Sequence, residues 1–261
     1  KNMVVMGAGA VGGYFGAMID RNTETNVYYI ARGSHLEAML LNGLKVESGN
    51  DQFHLQVTAS DDPASVESAD LILLTVKSYD TLRAIEQMKS IVGDQTQILT
   101  LQNGIENYDQ LVEAFGEEKV IQGFCRIGAS VTEPGVIAHS TMGTVTIGNP
   151  QGDVEEERHE QVRELFSEAG IRCQFSESIK HDIWVKFTWN CIFNMLTTLG
   201  FITVDELFKV PEAETLCYDL FEEIQDVARK REVMLTDIDR DNIIDGARDL
   251  TDFKTSTYQD R

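Results

Sequence analysis

What this chain lacks narrows its class before any motif is read. Its four cysteines (Cys125, Cys173, Cys191 and Cys217) are far apart and include no CxxC pair. That spacing argues against a disulfide framework and a structural zinc site, and it suits a reducing, cytoplasmic setting. The five histidines (His35, His54, His139, His159 and His181) are equally isolated, so no metal centre is expected. No apolar run is long enough to span a bilayer, and no basic-then-apolar leader precedes the first strand pattern. Basic residues are also scarce: 22 Lys and Arg stand against 43 Asp and Glu, a formal net charge of −21. Nucleic acid and anionic membrane are therefore poor partners. An anionic ligand would have to be held by local cations or by backbone N–H groups.

What remains is a soluble, globular composition with 261 residues, enough for one large domain or two ordinary ones. The first half alternates strands with helices. Strand patterns at Met3–Met6, Asn26–Ile30, Ala69–Val76 and Gln97–Leu101 are interleaved with helical patterns at Tyr14–Ile19, Ser34–Leu41 and Tyr79–Ile91. Leu71-Ile72-Leu73-Leu74 is apolar on both faces, as in a strand covered by helices on each side. This alternation predicts an α/β fold with a doubly wound parallel sheet. Val120–Val131 and Val136–Ile147, joined by Glu133-Pro134-Gly135, read as antiparallel strands extending it. A helix over Glu155–Ala169 and a strand over Ile171–Phe175 follow. From Ile179 onward the pattern is helical, with Pro211 as an interruption, which puts a domain boundary near Glu177: residues 1–177 and 178–261. The charged stretch from Asp237 to Arg261 carries no helix-ending signal, as expected of a chain cut inside a helix.

Two segments carry chemistry. The first is Gly7-Ala8-Gly9-Ala10-Val11-Gly12, a GxGxxG placed between a strand and a helix. Gly7 permits a tight turn, Gly9 lets a pyrophosphate approach the backbone, and Gly12 lets the helix pack on the sheet. The helix N-terminus then offers N–H groups to phosphate. An NAD site usually ends its second strand with an acid; here the strand runs into Ala31-Arg32-Gly33-Ser34. A guanidinium at Arg32 suits the 2′-phosphate of NADP, although Arg32 also reads as an ordinary surface residue. Lys77 and Asn103 directly follow the third and fourth parallel strands, where open sheets place their ligands. A solvent charge and a plain Asn-Gly turn are their bland readings.

The second segment is the apolar stretch Ile183–Leu196, interrupted by Lys186, Asn190 and Asn194 at intervals of four. On a helix these three share one face. Polar groups on an otherwise apolar helix need partners, so the stripe lines a cleft or forms a narrow solvent-facing edge.

Together with Thr75-Val76-Lys77, Gln102-Asn103-Gly104, Pro134–His139, Gly143–Gly148 and Phe253–Asp260, these motifs resemble the ketopantoate reductase (2-dehydropantoate 2-reductase) family over essentially the whole chain. The resemblance implies a Rossmann-type NADP-binding domain over 1–177 and a helical substrate and catalytic domain over 178–261. It implies NADPH-dependent reduction of a 2-oxoacid ketone, ketopantoate to pantoate, in pantothenate and coenzyme A biosynthesis. Gly7, Ala8, Gly9, Ala10, Val11 and Gly12 would hold the pyrophosphate, Arg32 the 2′-phosphate, and Lys77, Asn103 and the Ala129 backbone the rest of the cofactor. Lys186 would be the proton donor, and Asn103, Asn190, Asn194 and Ser256 would bind substrate.

Two departures accompany it. Where the family has a further asparagine, this chain reads Phe201-Ile202-Thr203-Val204, and the glutamate that follows the family's late serine is not reached by Arg261. They leave two alternatives open: a reductase of another branched 2-oxoacid, and a non-catalytic NADP-binding sensor. The composition allows either a monomer or a homodimer.

Overall fold

The computed structural model describes residues 1–152 and 156–259. Backbone contacts divide the chain into two compact units, Lys1–Ile179 and Lys180–Arg261. In the first unit the chain runs β1 (Asn2–Met6), α1 (Ala10–Asn22), β2 (Asn26–Ile30), α2 (Gly33–Asn42), β3 (Leu44–Ser48), β4 (Asp51–Leu55) and β5 (Thr58–Ser60). It continues through β6 (Leu71–Leu74), α3 (Thr81–Met88), β7 (Gln97–Thr100), α4 (Asn107–Phe115), β8 (Val120–Glu133), β9 (Val136–Gly148), α5 (Glu157–Glu168) and β10 (Cys173–Ser176).

Among the described residues these ten strands form one mixed sheet. Its parallel part runs β5-β2-β1-β6-β7-β8, the 3-2-1-4-5-6 order of a dinucleotide-binding sheet. Side chains alternate across it. Met3, Val5, Leu73 and Leu99 enter a core with Phe15 of α1 and Phe166 of α5. Val4, Met6, Ile72, Leu74 and Ile98 enter a second core with Ile85 and Met88 of α3 and Leu111 of α4. Burial on both faces explains why these strands are apolar throughout.

As expected, β8 and β9 pair antiparallel, with register shifts at Arg126/Ile127, Gly128/Ala129 and Val131/Glu133. The pattern at Ile171–Phe175 anticipates β10, but not the pairings made by the far edge of β9. Its first half pairs parallel with β3, which pairs antiparallel with β4, and its second half pairs parallel with β10. β3, β4 and β5 are short and largely polar, and β3 meets β9 across a long stretch of chain, so no local periodicity announces them. The helix α4 likewise has no recognisable cap: Glu106 stands at its N-cap without a side-chain capping bond.

The second unit contains α6 (Ile179–Trp189, beginning at the unit boundary), α7 (Met195–Gly200), α8 (Val204–Leu207), α9 (Ala213–Lys230), α10 (Asp237–Arg248) and α11 (Ser256–Gln259). A π-helical turn, Asn190–Asn194, joins α6 to α7. Trp189 and Phe193 pack at 4.5 Å between ring centroids, and Phe193 meets Phe208 at 6.0 Å. Cys217 and Phe221 of α9 and Ile244 and Ala247 of α10 are fully buried. Thr203 and Thr236 cap α8 and α10 through reciprocal capping boxes.

No helix among the described residues is long and apolar enough to cross a membrane.

Candidate functional site

In the first unit the site is made largely of backbone. Gly7 adopts φ +102°, a conformation that side chains rarely tolerate, and Ala8 N–H donates to Ile30 O at 2.8 Å, tying the loop to the end of β2. A Cβ on Gly12 would run into Thr75 Oγ1 and Gly7 O, whereas a Cβ on Gly9 would meet nothing within 4 Å. Gly12 is thus a packing glycine, and Gly9 borders open space. The helix α1 starts at Ala10 with Gly9 as N-cap and no side-chain cap, so its first N–H groups are left for another acceptor. Thr75 Oγ1 donates to Gly7 O at 2.8 Å and fixes the loop to the end of β6. The residues present fit a dinucleotide pyrophosphate: room at Gly9, N–H donors at Ala10–Gly12 and a rigid floor at Gly12.

Arg32 is the N-cap of α2, again without a side-chain cap, and its guanidinium lies 2.6 Å from Asp80. Lys77 and Asn103 follow β6 and β7, which are paired in register at Leu74 and Thr100. A buried polar network brings their backbones together. Gln102 donates from Nε2 to Val76 O and to Thr81 Oγ1, both at 2.8 Å; Thr81 donates to Asn107 Oδ1 at 2.9 Å; Asn107 donates to Asn103 O at 2.9 Å. Sequence reasoning missed Gln102, Thr81 and Asn107 as the residues that set this end of the site. The signal was there in part, since Thr81 and Asn107 begin the helices α3 and α4 that follow the two strands.

His35, isolated from the other histidines in the sequence, links three pieces of the first unit. Gly135 N–H donates to Nδ1 at 3.0 Å, so Nε2 carries the proton and donates to Ala8 O at 2.9 Å. Burial lowers the imidazole's pKa, and the bond to Ala8 only partly offsets this. Ala129 sits further out, on β8 opposite His139, where Tyr14 of α1 stacks on the histidine ring at 4.2 Å.

In the second unit the candidate site is made of side chains. Lys186 is partly buried on α6, one turn before Asn190. Asn194 is buried and donates to Asn190 Oδ1 at 3.2 Å and to Ser256 Oγ at 3.5 Å. Ser256 is held there because the neighbouring Thr255 shares a buried hydroxyl–hydroxyl bond with Thr197 of α7 at 2.9 Å. The polar stripe is therefore not one uniform α-helical ladder. Lys186 stands on α-helix, while Asn190 and Asn194 open and close a π turn, which still leaves their carboxamides in contact. Single π turns of this kind recur at functional sites. Asn190, Asn194 and Ser256 are brought together, with Lys186 next along the helix.

None of the four cysteines is in a disulfide. The Cys217 thiol is pushed up to about 11 by burial and then by Glu214, which leaves it a poor nucleophile. No group of three or more His, Cys, Asp or Glu among the described residues could hold a metal ion.

Two family models match the chain: ketopantoate reductase PanE/ApbA over residues 3–152, and ketopantoate reductase PanE/ApbA C terminal over 178–261. The 2-dehydropantoate 2-reductase of Aquifex aeolicus is 30% identical over 87% of this chain and 72% of its own length. That of Mesorhizobium japonicum is 27% identical over 99% of this chain and 85% of its own. The crystal structure of a PanE/ApbA family ketopantoate reductase from Ralstonia eutropha superposes with a TM-score of 0.91 at 31% identity, covering 100% of this chain and 85% of that one.

Proposed function

From the premise that this chain belongs to the ketopantoate reductase PanE/ApbA family and is an oxidoreductase, we propose that it reduces ketopantoate (2-dehydropantoate) to pantoate with NADPH, a step toward pantothenate and coenzyme A. The observation that carries the reading is the carboxamide pair of Asn190 and Asn194 with Ser256 against it, one turn along the helix from Lys186. Side chains of this type present donors and acceptors to a carboxylate and a hydroxyl without adding charge beside the lysine.

The glycine loop holds the pyrophosphate through the open face of Gly9 and the uncapped start of α1. Arg32 and the uncapped start of α2 receive the 2′-phosphate. Lys77, Asn103 and the Ala129 backbone orient the remainder of the cofactor, and Asn103 also touches substrate. When bound, the nicotinamide supplies a hydride to the ketone carbon. Lys186 meets the negative charge that then develops on the ketone oxygen, stabilises it and gives it a proton. Asn190, Asn194 and Ser256 hold the substrate.

A related branched 2-oxoacid is the second reading. It is favoured by Thr203, whose hydroxyl is engaged with Asp205 at 2.7 Å and caps α8, and so does not replace a substrate-binding carboxamide in that segment. Initial rates of NADPH oxidation over a panel of 2-oxoacids separate the two. Ketopantoate is expected to give the highest kcat/KM, and a clear preference for another member of the panel would overturn the first reading.

A further inference from the structure

The strand β2 ends without the acid that usually holds an unphosphorylated ribose, but the fold supplies one from elsewhere. Asp80 closes the short 3-10 turn after β6, and its Oδ2 lies 2.6 Å from Arg32 Nη2. The juxtaposition follows from the sheet: β6 and β2 flank β1, so their carboxyl ends lie on either side of the glycine loop. Asp80 is the N-cap of α3 yet makes no capping bond, so its carboxylate is not committed to the helix end. The pair is lopsided, with the Arg32 side chain 65% exposed and that of Asp80 22%. The guanidinium is the more solvent-exposed end of the pair.

We infer that Asp80 is a cofactor-specificity determinant, accepting the ribose 2′-hydroxyl of an unphosphorylated cofactor and opposing the 2′-phosphate of a phosphorylated one. The inference rests on the proposal that Arg32 marks the adenine-ribose end of the site. A 2′-phosphate needs the guanidinium that Asp80 holds and stands beside a charge of its own sign. A 2′-hydroxyl instead finds an acceptor at Asp80, with Arg32 orienting that carboxylate. The site therefore takes both cofactors, and its preference for the phosphate is smaller than Arg32 alone would give.

Binding to the full chain tests this without turnover, using 2′,5′-ADP and 5′-AMP as probes in calorimetric titrations, with NADPH and NADH beside them. An exposed ion pair is worth little, so Asp80→Asn should tighten 2′,5′-ADP by about two- to fivefold. It should weaken 5′-AMP comparably, moving the ratio of the two affinities by about tenfold. Asp80→Ser should move the ratio the same way, and Asp80→Glu should restore it. Arg32→Ala should weaken 2′,5′-ADP by about 10- to 100-fold, the worth of a charge-assisted hydrogen bond. If Asp80→Asn and Asp80→Ser both leave the ratio unchanged while Arg32→Ala has its effect, the inference falls and the Arg32 assignment stands. If Arg32→Ala leaves 2′,5′-ADP binding unchanged, the assignment itself falls.

Discussion

The two units build their candidate sites from different materials. In the first, the candidate ligand-facing atoms belong largely to the main chain: Gly9 beside open space, the uncapped N–H groups of α1 and α2, and strand ends held together by Gln102, Thr81 and Asn107. In the second, they belong to side chains spaced along one helix and its π turn. A backbone site is sensitive to added atoms, because it works by leaving room. A side-chain site is sensitive to removed atoms. Substitutions at the two ends should therefore fail in different ways.

The largest effect is expected from Lys186→Ala. Loss of a general acid should lower kcat about 10²–10⁴-fold, while NADPH affinity, read by fluorescence titration, stays within twofold as an order of magnitude. A kcat within tenfold of the parent protein would remove Lys186 as the proton donor.

Next comes a pair of identical changes inside the glycine loop. Gly12→Ala forces a methyl into Thr75 and Gly7 and should cost about 1–3 kcal/mol in urea unfolding. Gly9→Ala meets no protein atom, so its unfolding midpoint should stay put while NADPH binding weakens. If both variants lose stability equally, the division between packing glycine and ligand-facing glycine is wrong.

The polar residues behind each site extend the comparison. Gln102→Leu removes the donor to the part-buried Val76 carbonyl and to the buried Thr81 hydroxyl and should cost about 1–3 kcal/mol. Asn190→Ala removes a partly exposed group and should cost under about 1 kcal/mol, with its effect falling on KM for the oxoacid. Equal costs would mean that the second unit's stripe is structural rather than substrate-facing.

The smallest effect concerns pH. Burial lowers the pKa of His35 in the folded state below its unfolded value of about 6.5. Between those two pKa values the unfolded chain binds more protons, so stability is full above about pH 6.5 and falls as pH drops toward the folded-state pKa. Charging Nδ1 also breaks the bond from Gly135. His35→Gln should flatten the slope in a urea series across that window, and an unchanged slope would assign it to other groups.

How legible this was in the sequence varied with the range of the interactions. The strands β1, β2, β6 and β7 showed as apolar runs because burial on both faces is a local, repeated demand. The glycine loop showed because its backbone geometry admits few residues, and Lys186, Asn190 and Asn194 because polar side chains on an apolar helix stand out. The edge β3–β4 did not show, since its pairing partner β9 lies about ninety residues along and its own composition is half polar. The π turn was hidden too: one extra residue in a helical turn leaves no mark on a period judged over a few positions.

By itself, then, the sequence determined which residues need special surroundings: glycines where a Cβ does not fit, and polar groups on a face otherwise apolar. Only the tertiary structure decided who their neighbours are. It placed Asp80 on Arg32, His35 between Ala8 and Gly135, and Ser256 against Asn194. Each of these contacts joins segments far apart in the chain, and a distance of a few ångströms between such segments is set by how sheet and helices pack, which no local pattern of residues records.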